Sequence, residues 1–450
     1  MNDEAQSLLH HVLDVARRHG ATAADAMFIS GRSTTVRVRL GETEKVQQSR
    51  SKGLGLRVFI GSRSATTSTS DLARPAVEDL VARTVAAARV TAEDPFAGLP
   101  DAHLVAEVPA SDLDLYDPQV AELTAEAALD HARVAEAAAL GADPRLVNSE
   151  GSEMSWGYSE LLLASSTGMS RARQSSSVSL WVTPVAVDGA DKQRDYWWGS
   201  ARHLADLDGP EAIGRQAARR ALRRLGARKP ETCQVPVIFE APIASRLLGT
   251  LGGAVNGGAL YKDASYLCGK LGERIAPKGV TVVDDPHLRR GPSSRTFDAE
   301  GLATRRNIIV DDGVLASYLL DTYTARKLGL TTTRSARRGL TSTPSPGSSN
   351  FWMAPGDRSL EELIADTPRG LLVIETSGFG VSTVNGDYSQ GATGIWIEGG
   401  ALAYPVHELT IASSLPAMWE SVDGIADDLD PRRGISAPSL RIARMTVAGT

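Results

Sequence analysis

Apolar residues recur at helical spacing near the start of the chain. Leu8, Leu9, Val12, Leu13 and Ala16 share one face, and Gly20 ends the pattern. Alternation follows. In TTVRVRL (34–40), Val36, Val38 and Leu40 point one way and Arg37 and Arg39 the other, the period of a half-buried strand. GLGLRVFIG (53–61) and SATTSTS (64–70) predict further strands. DLARPAVEDLVARTVAAARV (71–90) returns to helical spacing through Val77, Leu80, Val81 and Val85. The Pro, Gly and Asp of TAEDPFAGLPDAHL (91–104) mark a linker. The order then recurs. A helix over 120–140 precedes strands near 145–150, 155–165, 176–187 and 193–201, and a helix over 210–229 closes the unit.

A third region opens with CQVPVIFEAPIASRLLG (233–249). Val235, Val237 and Phe239 alternate, and Pro242 begins a helical turn. Later strands are predicted at 279–284, 306–310, 313–320, 371–377 and 380–410. SARRGLTSTPSPGSSN (335–350) reads as a long polar loop with little to bury, a type often functional or mobile. Strands that follow one another without helices between them indicate an α+β chain with extensive antiparallel sheet. The expected layout is multi-domain: two N-terminal helix–strands–helix units, 1–95 and 105–229, and a β-rich C-terminal domain, 230–450.

Composition narrows the function classes. Hydrophobic residues at 42% and charged residues at 23% are ordinary for a globular protein. A net charge of −6 disfavours a general nucleic-acid or membrane-surface binder. Two cysteines, Cys233 and Cys268, exclude a disulfide framework. Asp3 and Glu4 stand where a secretory signal would carry cations, and no apolar run is long enough to span a membrane. A soluble cytoplasmic protein is the expectation.

The chemistry-bearing candidates thin out on inspection. RLLGTLGGAVNGGALYKDASYL (246–267) holds five glycines between Gly249 and Gly258. Gly252 and Gly257 have the spacing of a phosphate loop, but Gly258 and Ala259 replace the Lys and hydroxyl that such a loop needs. Close backbone packing, open only to Gly and Ala, is the better account. No histidine pairs have metal-binding helical spacing with an intervening Glu. DDPH (284–287) reads as a turn at a strand end, and His407 and Glu408 fall on opposite faces of a strand. No G-x-S-x-G elbow is present, and Cys268 lies in an apolar segment. Seven cations, from Arg215 to Lys229, crowd a helix whose other face is Ala218, Ala221, Leu222 and Leu225; a solvated face is expected there.

The third region nevertheless resembles the TldD/PmbA family, the so-called modulators of DNA gyrase. The similarity is carried by NGGALYKDASYL (256–267), the stretch from DDPHLRRG to TARKLGL (284–330), GDYSQGATGIWIEGGALAYPVHELTIASSLPAMWESVDGIADDL (386–429) and SAPSLRIARMTVAGT (436–450), with GLGLRVFIG supporting it further upstream. The family has two branches. The resemblance implies that TldD subunits carry a zinc-binding H-E-x-x-x-H helix and a C-terminal cysteine ligand. Here LGTLGGAVNGG (248–258) has neither His nor Glu, and DPRRGISAPS (430–439) has no Cys. The chain is therefore similar to the TldE (PmbA) branch. That implies a metal-free partner of a TldD-type zinc metallopeptidase, acting on extended or unfolded peptides, with zinc in the partner and none bound by this chain. Asn256, Gly257, Gly258 and Tyr261 are the candidate substrate contacts. A stand-alone homodimeric peptide binder and a gyrase modulator are the alternatives.

Overall fold

The computed structural model describes residues 3–108 and 112–449. It is α+β and multi-domain, as the strand-rich pattern predicts. Helix α1 (Asp3–Arg18) precedes the hairpin of β1 (Ala23–Arg39) and β2 (Glu42–Ile60), then β3 (Arg63–Thr69) and α2 (Arg74–Val90). After α3 (Pro118–Glu122) and α4 (Ala125–Leu140) come β4 (Leu146–Ser165), β5 (Ser170–Asp188), β6 (Asp191–Arg194), β7 (Trp197–Ala201) and α5 (Pro210–Leu222).

The two helix–strands–helix stretches share one sheet. Its order is β3-β2-β1-β4-β5-β6, with β7 also on β5. The join is the antiparallel β1–β4 pair, running from Asp25 opposite Ser165 to Val38 opposite Ser152. β1, β2, β4 and β5 are far longer than the alternating runs from which they were anticipated. Alternation marks only the parts of each strand that a helix covers. Ala24, Ala26, Phe28, Leu54, Leu56 and Val58 meet α1 and α2 in one core. Val36, Val38, Met154, Trp156, Val178 and Leu180 meet α4 and α5 in another. All of these are even-numbered, so both helix pairs lie on one face of the sheet.

Odd-numbered positions turn toward the C-terminal region. Gly53 and Gly55 face Leu340: a Cβ at Gly55 would stand 2.6 Å from the Leu340 carbonyl oxygen. The segment 335–350 is thus no loosely held loop, contrary to the sequence expectation. Ala336 and Arg337 pair with Pro346 and Ser345, Ser335 and Ser349 are buried, and Arg338 ion-pairs with buried Asp25 of β1. Polar composition concealed this because most of what the segment buries is charge and backbone.

In the C-terminal region β8 (Cys233–Phe239) runs parallel to Arg369–Ser377 and antiparallel to Leu440–Ala448. Asp387–Glu398 and Ala401–Ser414 extend the sheet, and Ala401–Ser414 pairs back with Leu440–Ala448, closing a five-stranded barrel. Closure removes free sheet edges there. Helix α6 (Ala241–Ala254) packs Ile243, Leu247, Leu248 and Leu251 into the same core as Val237, Phe239, Leu371 and Trp396. The predicted strand over 313–320 is reduced to Val314–Leu315. No helix is long and apolar enough to cross a membrane among the described residues.

Candidate functional site

Helix α6 starts one residue after Glu240. Pro242 at its first turn needs no N–H partner, which favours initiation there. The Glu240 carboxylate receives Arg220 Nη1 at 2.9 Å and Arg223 Nη1 and Nη2 at 2.8 and 2.9 Å. Burial pushes the Glu240 carboxyl up, and the two guanidiniums more than offset it, holding the group below its usual range. The solvated face that the sequence suggested holds for Arg215, Arg219, Arg228 and Lys229, which are exposed, and not for Arg220, Arg223 and Arg224. Arg220 is buried and also lies 3.4 Å from Asp195, and Arg224 meets Glu375 at 2.6 Å. The helix also stops at Leu222, seven residues earlier than expected, ahead of Gly226 in a left-handed conformation.

Arg220, Arg224, Asp195 and Glu375 wall a cavity of about 320 Å³ at the start of α6, together with Trp197, Trp198, Arg246 and Arg433. The Trp197 ring lies under Arg220 (5.2 Å) and Arg432 (5.5 Å), and Trp198 under Arg433 (4.5 Å). Stacked guanidiniums and indoles suit a planar or anionic group.

From this cavity the open face of α6 continues through Arg246, Gly249, Thr250 and Gly253. A Cβ at Gly249, Gly252 or Gly253 would have no neighbour nearer than 3.7, 3.6 and 3.8 Å respectively. Close packing, the sequence-based account of the glycine run, is corrected at these three. It holds at Gly257, where a Cβ would meet Leu320 and Thr324 at 2.6 Å. The glycines along α6 leave its outer face low and open.

The four candidate contacts sit just beyond, on α7 (Gly257–Leu260) and its ends. Asn256 caps α7 by accepting from the Gly258 amide, and its own amide donates to the Pro346 carbonyl at 2.8 Å. Gly257 donates to the Leu319 carbonyl at 2.9 Å. Gly258 is half-buried. The Tyr261 ring stands edge-on to Tyr323, centroids 5.8 Å apart. Asn256 and Gly257 are engaged in holding the chain, while Gly258 and Tyr261 keep surface.

The residues on α6 do not fit a zinc ion. Its open face carries no imidazole, carboxylate or thiolate; Arg246 is a cation, and Thr250 Oγ1 donates to the Leu247 carbonyl. Among the described residues no three His, Cys, Asp or Glu side chains converge as metal ligands. In DDPH, Asp285 accepts from the His287 amide at 2.9 Å and His287 Nε2 lies 3.1 Å from Thr304 Oγ1, the expected turn chemistry. The features that sequence reading missed are the indole–arginine cavity and the open helix face. The paired tryptophans at 197–198 were the one local sign of the former.

Residues 24–88, 118–225 and 232–449 match, in order, domain 1, the central domain and the C-terminal domain of PmbA/TldA metallopeptidase. Metalloprotease PmbA of Escherichia coli O157:H7 is 37% identical, covering 99% of this chain and 97% of that protein. A metalloprotease PmbA homolog of Haemophilus influenzae is 33% identical, covering 99% and 96%. The crystal structure of a Bacteroides thetaiotaomicron protein, described as a candidate modulator of DNA gyrase, superposes with a TM-score of 0.92 at 31% identity over 100% of both chains. With three domains matched in chain order and full-length likeness in both sequence and fold, this chain belongs to the TldD/PmbA metallopeptidase family.

Proposed function

We propose that this chain is the metal-free, non-catalytic TldE/PmbA-type subunit of a two-chain cytosolic metallopeptidase that trims leader peptides and degrades unfolded ones. The observation that carries the reading is the open face of α6. Where the TldD branch bears H-E-x-x-x-H, this helix presents Arg246, Gly249, Thr250 and Gly253. Zinc and the activated water then belong to the TldD-type partner. The low glycine surface leaves room for a chain to pass, and Gly258 and Tyr261 are the contacts it would meet next.

A second feature supports an extended substrate or a partner strand. β3 pairs with β2 only from Leu54 to Ile60. Among the described residues the stretch of β2 from Glu42 to Gly53 therefore has β1 on one side and no strand on the other. Such an edge can accept main-chain hydrogen bonds from an added strand, and Glu42, Glu44, Lys45, Arg50 and Lys52 along it discourage promiscuous pairing.

Co-expression with a TldD-type subunit tests the reading. The expected result is a stable one-to-one complex, about one zinc per complex, and peptide cleavage that neither chain gives alone. Cleavage by this chain alone, with stoichiometric zinc, would overturn it.

A further inference from the structure

A second cavity, of about 160 Å³, lies between the face of the N-terminal sheet that carries no helices and the C-terminal segments 292–299 and 336–338. Five guanidiniums line it, Arg173 from β5, Arg202 after β7, Arg295, Arg337 and Arg338, together with one carboxylate, Asp298. Arg338 pairs with Asp25, and none of the other four has a carboxylate partner within ion-pair distance among the described residues. This protein otherwise pairs its buried arginines with care: Arg57 shares Asp25 with Arg338, and Arg220 has Glu240 and Asp195.

Their neutral partners differ in number. Arg202 is held by the carbonyls of Ser176, Gly291 and Pro292, a structural strut. Arg337, exposed at the mouth, donates to the Ser348 carbonyl. Arg295 is only 6% exposed, makes one long bond to the Gly347 carbonyl at 3.3 Å, and leaves its Nε buried without a partner. Arg173 stacks over the Phe297 ring at 5.8 Å and donates to no protein acceptor among the described residues. The nearest carboxylates, Asp284 and Asp298, act on Arg295 only through space and accept their hydrogen bonds from other groups. Asp284 accepts from Ser349, and Asp298 accepts from the amides of Glu300, Leu302 and Ala336.

Burying a cation without its counter-charge is costly, and gathering several around one void adds repulsion. Burial, reinforced by the other cations and only partly offset at Arg295 by Asp284 and Asp298, pulls both Arg173 and Arg295 down to about 10, still charged at neutral pH. An oxyanion in the void satisfies the free N–H groups and cancels the repulsion. Guanidinium forks match carboxylate and phosphate oxygens in geometry.

We infer that this cavity is an oxyanion-binding site, in which the free edges of Arg173 and Arg295 grip a single phosphate or carboxylate group and Arg337 closes the mouth. The site is separate from the open face of α6 and holds whether or not the chain works beside a zinc subunit.

Thermal unfolding of the full chain, titrated at constant ionic strength, tests it. The probes are inorganic phosphate, and a short peptide with a free C-terminal carboxylate alongside its amide. The expected result is a saturable rise in Tm with at least one oxyanion. Response to phosphate alone identifies phosphate as the occupant; response to the carboxylate peptide but not its amide identifies a peptide terminus. Arg173→Gln, at a half-buried position with no hydrogen bond to lose, should weaken the apparent affinity by about tenfold or more. It should also unfold at a higher temperature than the parent in oxyanion-free buffer, because one of the repelling cations is gone. A strut would do the reverse. Arg337→Gln at the mouth provides the same affinity comparison at an exposed position. The inference is overturned if no probe gives a saturable response, or if the response is equal in parent and both variants, which would mark a general salt effect.

Discussion

At the scale of single residues, this protein places charge inside and balances it with contacts distant in sequence. Asp25 is 2% exposed, with Arg57 Nε at 3.0 Å and Arg338 on its other oxygen. Burial alone would raise its pKa, but the two cations outweigh burial and hold it below the usual carboxylate range. Asp25→Asn removes the carboxylate shared by two buried guanidiniums and should cost about 3–5 kcal/mol. A urea-denaturation midpoint equal to the parent's would refute that. Asp284 is the opposite case. Burial dominates, the Ser349 bonds and Arg295 only partly offset it, and its pKa rises from 3.8 to about 6. A native pKa above the unfolded one means the folded state holds the proton longer. This contribution to stability is complete below about pH 4, fades as pH rises, and is gone above about pH 6, a loss on the order of 3 kcal/mol. Asp284→Asn should flatten the stability profile between those limits in denaturation series at several pH values; an unchanged slope would assign the dependence elsewhere. DDPH was read as a turn at a strand end, and Asp284 lies in the strand Val282–Asp285 that leads into it. Its protonation was illegible because the burial that raises it, and the Ser349 and Arg295 contacts that oppose it, come from other segments.

At the scale of elements, helix α6 separates what sequence can say from what it cannot. The absence of His and Glu was plain in LGTLGGAVNGG, and the choice between the two family branches rested on it. Which glycines pack and which merely leave space was not plain, because the answer lies with Phe351, Thr383, Ile435, Leu320 and Thr324. The same limit explains α5, where the carboxylates that bury its arginines, Glu240 and Asp195, belong to neighbouring segments. It also explains the long strands, whose uncovered stretches carry no apolar alternation. The glycine distinction gives a signed prediction. Gly252→Ala and Gly253→Ala meet only ordinary contacts and remove helix-weakening residues, so each should stabilise the chain by about 0.5–1 kcal/mol. Gly257→Ala forces a Cβ onto Thr324, part of a helix-capping box, and should destabilise by about 1–3 kcal/mol. Denaturant midpoints give all three. If Gly253→Ala stabilises the fold yet lowers peptide turnover in the two-chain complex, the open face is there for passage rather than packing. Destabilisation by all three would return the helix to the close-packing account.

At the scale of the molecule, the N-terminal sheet has helices on one face and the C-terminal region on the other. The sequence announced the first arrangement through even-numbered apolar positions and gave no sign of the second, which depends on small and charged residues. Gly53 and Gly55 are small because the segment 335–350 must reach the sheet, and Leu340 is the residue that arrives. The two glycines meet different parts of it. A Cβ at Gly53 would strike the Leu340 side chain, Cδ1 at 2.6 Å, with the Thr69 carbonyl next at 3.3 Å. At Gly55 it would strike Leu340 backbone, the carbonyl oxygen at 2.6 Å and Cα at 3.2 Å. Truncating Leu340 therefore makes room at the first position and not at the second. Combined with Leu340→Ala, Gly53→Ala should be less destabilising than the sum of the two single changes, by about 1 kcal/mol in a double-mutant cycle. Gly55→Ala with Leu340→Ala should simply add, since the backbone still blocks the methyl group. Protease cleavage within 335–350 should rise in Gly55→Ala and persist in that double variant, while the Gly53 double variant regains protection. Equal coupling at both positions, or none at either, would mean that Leu340 does not seat this segment on the sheet. The C-terminal region would then be held there chiefly by its ion pairs, Asp25 with Arg338 and Glu240 with Arg220 and Arg223.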